Sequence, residues 1–242
     1  MTAKKFLKKL FSFSPRFYSL FFSSFDAYQR FKIVSELIKE TSSEKILDIG
    51  GDIGHLRFFL PDKKIVTADT SDKADYKIKN SKTFRLPFKD KEFDCSVTID
   101  TFQYVKKSQR KDFINEMLRV SKNYAIIAAP FDSAEVVNAE KKCNSFYKKI
   151  FNKDFCWFAM TLKSGFPDIN EVENILKEKK KKYSIFSNGY LKRWILMMKI
   201  NTLLYRFLFP FAIVINGIYN ILFYRYDNKE PSYRKVIFVN LK

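Results

Sequence analysis

The sequence predicts an α/β protein with a doubly wound, largely parallel sheet and an added hydrophobic helical segment. Short apolar runs of strand length alternate with stretches whose apolar residues recur every three to four positions, the pattern of parallel strands joined by crossover helices. A glycine-rich turn follows the first of these runs directly, as where a strand delivers backbone to a ligand. Late in the chain, residues 190–226 turn strongly apolar and stand apart from the alternating part.

Taken in order, residues 1–25 read as a basic, aromatic N-terminal helix, with Lys4, Lys5, Lys8 and Lys9 among Phe6, Leu7, Leu10, Phe11 and Phe13. Such a helix suits an anionic membrane surface or a lid over its own domain. The core is expected over residues 26–189. Asp26–Lys39 is its first helix, with Ala27, Phe31, Val34 and Ile38 on one face. Lys45–Ile49 is a strand, Gly50–Gly54 the glycine turn, and His55–Leu60 the start of a helix that Pro61 ends. Lys64–Ala68, Phe93–Ile99 and Tyr124–Ala129 read as further strands, and Arg110–Ser121 as a helix. Residues 131–165 read as a long polar and aromatic segment. Asp168 then caps a helix, with Glu171 placed for a capping box. Lys177–Lys182 is a solvated helix end, and Tyr183–Phe186 a candidate strand. Residues 190–226 form a hydrophobic helical insertion, and 227–242 return to the core through a strand at Lys235–Leu241. The uncharged stretch from Phe207 to Tyr224 approaches the length of a membrane span. Pro210, Asn216, Gly217 and Asn220 interrupt it, which favours a helical hairpin, buried or lying on a membrane.

The composition is that of a folded, basic protein. Hydrophobic residues make up 46% of the 242, enough for a core, and 45 Lys and Arg against 26 acids leave a formal charge of +19. That surplus attracts a polyanion or an anionic membrane, unless it is a solvated compositional bias. Cys95, Cys143 and Cys156 have neither metal-ligand spacing nor the even count of a disulfide framework, so no metal is expected and a reducing cytosol is the simplest compartment. No secretory signal is read at the N-terminus.

Three constellations carry chemistry. Ile46-Leu47-Asp48-Ile49-Gly50-Gly51-Asp52-Ile53-Gly54 is a strand running into a tight turn, a pattern that dinucleotide-binding folds share. Asp69 ends the next strand, 19 residues after Gly50, where a carboxylate can accept both hydroxyls of a ribose. Third, Leu86-Pro87-Phe88-Lys89-Asp90-Lys91-Glu92-Phe93-Asp94 leads into the strand Cys95–Ile99 and Asp100, followed by Arg119-Val120-Ser121-Lys122 ahead of another apolar strand.

This order of motifs resembles the class I S-adenosylmethionine-dependent methyltransferases over roughly residues 28–131, and Glu230–Arg234 with its strand fits that family's closing hairpin. The resemblance implies a Rossmann-like, mostly parallel sheet with a closing antiparallel strand, and S-adenosylmethionine as cofactor. It implies that Asp48, Gly50, Gly51 and Gly54 shape the methionine pocket. Asp69 would hold the ribose, Thr70 and Leu86 would lie at the adenine, and Asp100 and Thr101 would border the methyl group. The chain departs from the pattern in three places. Asp52 stands where the turn's middle glycine is usual, Lys82 replaces an acid before Leu-Pro-Phe, and Gln103-Tyr104 replaces Glu-His.

Methyl transfer needs little beyond alignment, but an oxygen acceptor needs a base. The candidates are Asp100, Asp132 and His55, the single histidine, which also suits a packing or capping role. More loosely, Phe131-Asp132-Ser133, Asn188–Trp194 and Asp227–Arg234 resemble methyltransferases of cell-surface glycan assembly. That implies an acceptor on a membrane-associated glycan or lipid-linked precursor, and a cytoplasmic protein peripheral to the inner face of a membrane. Rival readings are a methyltransferase of RNA or of a small molecule, and a membrane-peripheral Rossmann-like protein without activity. Nucleic acid is the weaker partner because no RNA-binding module is recognisable. A nicotinamide dehydrogenase is disfavoured, since neither the Leu-Pro-Phe block nor Arg-Val-Ser-Lys serves dinucleotide binding.

Overall fold

The computed structural model describes residues 15–78 and 84–242, so most of the basic N-terminal helix read from the sequence, and Lys82, lie outside the described residues. The strands are β1 (Lys45–Ile49), β2 (Lys64–Asp69), β3 (Tyr76–Lys77), β4 (Phe93–Ile99), β5 (Ser121–Ala129), β6 (Lys182–Tyr190) and β7 (Ser232–Asn240). They form one seven-stranded sheet in the order β3-β2-β1-β4-β5-β7-β6. The pairs from β3 to β5 are parallel, and β7 alone runs against its neighbours β5 and β6. The expected Rossmann-like sheet with a closing antiparallel strand is therefore present.

The helices are α1 (Pro15–Phe22), α2 (Phe25–Lys39), α3 (Arg110–Val120), α4 (Ala134–Phe151), α5 (Cys156–Ser164), α6 (Ile169–Glu178), α7 (Leu191–Phe207) and α8 (Phe209–Phe223). On one sheet face, Phe113, Ile114, Met117 and Val120 of α3 and Val172, Ile175 and Leu176 of α6 pack on Leu47, Ala125 and Ile127. On the other, Phe31, Val34 and Ile38 of α2 pack on Ile46, Val97 and Ile126. Burial on both faces explains why the central strands read as unbroken apolar runs.

One expected helix differs. His55–Phe58 is a single 3₁₀ turn, with bonds from Arg57 N–H to the Gly54 carbonyl and from Phe59 N–H to the Leu56 carbonyl. Pro61 and the start of β2 at Lys64 leave too little chain for a crossover helix.

The polar and aromatic stretch 131–165 contains two helices. Ser133 caps α4 by accepting from Val136 N–H, and Asn152 ends it in the left-handed conformation. With α7, these helices build a third core around Phe158, Trp194, Met197 and Tyr233, above the carboxyl edge of the sheet. Asp168 caps α6 as expected, accepting from Asn170 N–H at 2.8 Å.

The segment 190–226 is a helical hairpin, α7 and α8, inserted between β6 and β7. Its asparagines face inward. Asn201 and Asn216 exchange amide hydrogen bonds of 3.1 and 2.6 Å, and Asn220 Nδ2 donates to the Leu20 carbonyl at 2.9 Å. Gly217 brings α8 against α1: a Cβ there would lie 2.3 Å from Phe21 Cδ1. Large apolar side chains face outward, among them Phe207, Phe209, Phe211, Val214, Ile218 and Ile221. Among the described residues no helix is long and apolar enough to cross a membrane.

Candidate active site

A cavity of about 960 Å³ lies at the carboxyl ends of β1, β2 and β4, roofed by α4, α5 and α7. This is where ligands bind in open α/β sheets. Asp48, Gly50, Gly51, Asp69 and Thr70 line one end together with Asp52, His55, Asp100 and Thr101.

The glycine turn is a close-approach loop. Gly50 has φ +83°, and a Cβ on it would lie 2.1 Å from Thr101 Oγ1. A Cβ on Gly51 would lie 2.4 Å from Asp48 Oδ2. Asp52 occupies the left-handed region at φ +40°, which Asp tolerates better than most residues. This accounts for the loop keeping its course where a glycine is usual.

Asp48 is 1% exposed, and its Oδ2 has no hydrogen-bond partner. Burial raises its carboxyl to about 7, the Asp69 carboxylate pushes the same way, and Arg57 opposes them. Asp69 Oδ2 accepts from Asp52 N–H at 3.2 Å, and its Oδ1 accepts from Ser71 N–H at 2.9 Å. The loop thus holds the carboxylate at the β2 tip in a fixed orientation.

Asp100, at φ +51° beyond β4, is held by two arginines. Arg30 Nη1 donates to Oδ2 at 2.8 Å, and the fully buried Arg234 binds both carboxylate oxygens. Arg234 also reaches Asp26 Oδ1 at 3.1 Å and Asn188 Oδ1 at 2.9 Å, while Trp194 Nε1 donates to Asp26 at 2.8 Å. This network ties α2, β4, β6, β7 and α7 into one wall. Guanidinium protons thus occupy three of the acceptor positions of Asp100, which also lines the cavity. His55 lies 5.9 Å from Phe31, ring to ring. Burial, and then Arg30, hold it below the usual histidine range, so it is neutral at pH 7.

Three predicted site residues lie elsewhere. Asp132 is exposed in the β5–α4 connection and does not line the cavity, because the chain turns there to place Ser133 as the α4 cap. Leu86 is 2% exposed in the sheet core, its N–H bonded to Glu116 at 2.8 Å. Gly54 is buried beneath Arg57 and starts the 3₁₀ turn rather than facing the cavity.

Other residues were not read from the sequence. Arg30 and Arg234 are one set. Glu140 is another: it is 1% exposed, lines the cavity, and accepts from Tyr233 Oη at 2.6 Å. A signal for it existed, since Val136, Ala139, Glu140 and Cys143 form one stripe at helical spacing, and an acid within an apolar stripe is unusual.

Residues 52–129 match the family model described as a methyltransferase domain. No curated protein sequence is significantly similar to the chain. Among solved structures, an S-adenosylmethionine-dependent methyltransferase from Thermotoga maritima, described as a possible histamine N-methyltransferase, superposes with a TM-score of 0.52. It is 15% identical, and the match covers 98% of this chain and 97% of that one. The methyltransferase domain of the bacterial protein CtHen1 superposes with a TM-score of 0.50 at 13% identity, covering 88% of this chain and 98% of that one. These likenesses show a common fold. The match of residues 52–129 to a methyltransferase domain supports an enzyme that uses S-adenosylmethionine.

Proposed function

We propose that the cavity takes S-adenosylmethionine at its β1–β2–β4 end and delivers the methyl group to an acceptor held beneath α4, α5 and α7. The unpartnered, buried carboxylate of Asp48 beside the glycine turn carries this reading. An unpaired buried polar group costs stability, and a cationic ligand relieves that cost. The residues present fit the cofactor. Gly50 and Gly51 leave a cradle that a Cβ would fill, and six carboxylates line the cavity against one guanidinium, that of Arg30. That lining suits a ligand carrying ammonium and sulfonium groups and opposes a phosphate backbone, which disfavours RNA as acceptor.

When bound, the cofactor supplies a methyl group already activated on sulfur. The protein's part is placement. Asp69, fixed by Asp52 and Ser71 N–H groups, retains lone pairs for ribose hydroxyls. Asp48 balances positive charge at the turn. Asp100, locked by Arg30 and Arg234, keeps the β4 edge rigid, and the aromatic roof excludes water.

The acceptor in this reading is membrane-associated, a lipid-linked precursor or a glycan carried on lipid. The outward apolar face of the α7–α8 hairpin supports it, together with the +19 charge.

Calorimetric titration with S-adenosylmethionine tests the cofactor site. Micromolar binding is expected, weakened roughly tenfold or more in Asp69→Ala by loss of hydrogen bonds to a charged acceptor. A folded wild type that binds none would overturn the assignment and favour a protein without activity.

A further inference from the structure

The roof of the cavity is an aromatic chamber with one acid in it. Tyr147, Phe155, Trp157, Phe158, Trp194 and Tyr233 form its walls. Among the described lining residues, Glu140 is the only carboxylate contributed by α4, α5 and α7, and none of those helices adds a lysine or arginine. Glu140 Oε1 accepts from Tyr233, while Oε2 is buried and without a hydrogen-bond partner. An aromatic box around a carboxylate with one free oxygen is complementary to an organic cation: the ring faces attract positive charge, and that oxygen supplies a charge-assisted hydrogen bond. We propose that this chamber is the acceptor subsite, that it takes an amine with an apolar body, and that Glu140 Oε2 receives the amine and its proton.

The inference rests on the methyl-transfer reading for its donor. An ammonium has no lone pair, so it must first lose a proton. That proton passes to Glu140, leaving a neutral amine. The nitrogen lone pair then forms the new carbon–nitrogen bond as the methyl carbon–sulfur bond breaks, and the breaking bond's pair stays on sulfur. A carboxyl suited to this exchange titrates near neutrality, and Glu140 is raised to about 7 by burial. The Tyr233 hydroxyl and then the Thr161 hydroxyl oppose that rise, and Asp100 and Asp26 reinforce it. Arg234 and Arg30 stand behind those two aspartates and neutralise them, and Tyr104 and Cys143 are the other titratable groups beside Glu140.

The chain's two tryptophans, Trp157 and Trp194, both line the chamber, so their fluorescence reports its occupancy without any need for turnover. Benzylamine and benzyl alcohol, matched in size and differing in charge, are titrated into the full chain. Wild type is expected to prefer the amine roughly tenfold, the worth of one charge-assisted hydrogen bond. The preference should grow as pH rises through about 7, where Glu140 ionises while the amine stays protonated. Glu140→Gln should lose the pH-dependent part of the preference and keep only the weaker attraction of the rings. Tyr233→Phe keeps the ring but removes the hydrogen bond to Glu140, so the onset should move to higher pH. Equal binding of the two probes by wild type, no quenching by millimolar benzylamine, or an undiminished, still pH-dependent amine preference in Glu140→Gln would each overturn the proposal. Cofactor titration separates the two readings. Cofactor binding without amine preference sinks this inference alone, whereas amine preference without cofactor binding sinks the methyl-transfer reading.

Discussion

Residues that suit a ligand here work against the fold that carries them. Asp48 keeps a proton in the folded protein because its carboxyl sits near 7, well above the ordinary 3.8. The unfolded chain releases that proton at lower pH. Asp48 therefore contributes stability that is present below about pH 4 and lost as pH rises through about 7. Asp48→Asn removes that loss. Denaturant unfolding of the variant should show higher stability than wild type at pH 8, by on the order of a few kcal/mol at most, and a gain that shrinks toward pH 4. A residual slope should remain from Glu140, whose carboxyl is raised in the same way. A variant that loses equal stability at pH 5 and pH 8 would mean Asp48 holds the turn together rather than waiting for a ligand. At this scale the sequence was partly readable. Asp48, Asp69, Gly50 and Gly51 could be placed because a strand end fixes where its next residues point. Arg234 and Glu140 could not, because their partners lie 134 and 93 positions away in the chain.

Among the elements, those with a strict period were legible, and those shaped by neighbours were not. β1, β4 and β5 read as apolar runs because both faces are covered. The 3₁₀ turn at His55–Phe58 was taken for a helix because Leu56, Phe59 and Leu60 are apolar. The short loop to β2, rather than residue type, decides its length. α4 and α5 escaped notice because their buried stripe is narrow and Lys141, Lys142, Lys148 and Lys149 dilute it. α8 is the sharpest case. Asn216, Gly217 and Asn220 look like interruptions in an apolar run, yet they form its packing face against α1 and α7. Gly217→Leu should therefore cost about 1–3 kcal/mol, since a larger side chain must displace Phe21 and part α8 from α1. Ile218→Leu, on the outward face, should stay within about 0.5 kcal/mol. Thermal unfolding of both variants checks the pair, and equal midpoints would show that the α1–α8 contact contributes little.

Across the whole molecule, charge and apolar surface are segregated in a way that a freely dissolved enzyme does not need. Acids gather in the cavity although the chain carries +19, so the basic surplus falls on the outside. The α7–α8 hairpin adds a contiguous apolar face, with Phe207 65% and Phe211 59% exposed and Arg206 exposed alongside. Apolar surface rimmed by positive charge suits an anionic lipid surface, and a helix of 15 residues would lie on such a surface rather than through it. α7 of this hairpin walls the chamber on its inner side, through Trp194 and Tyr205, so docking would bring the acceptor's lipid phase beside the subsite. Cosedimentation with vesicles tests this. Wild type should bind anionic phospholipid vesicles, with affinity falling as salt screens a contribution of about 1 kcal/mol per basic residue at the surface. A Phe211→Glu, Ile221→Glu double variant should lose tenfold or more, roughly the transfer free energy of one large apolar side chain, while retaining cofactor binding. If binding survives the double variant but vanishes in salt, the contact is the basic surface alone. If wild type ignores vesicles at low salt, the outward face of α8 serves something other than lipid, and the membrane-associated acceptor falls with it.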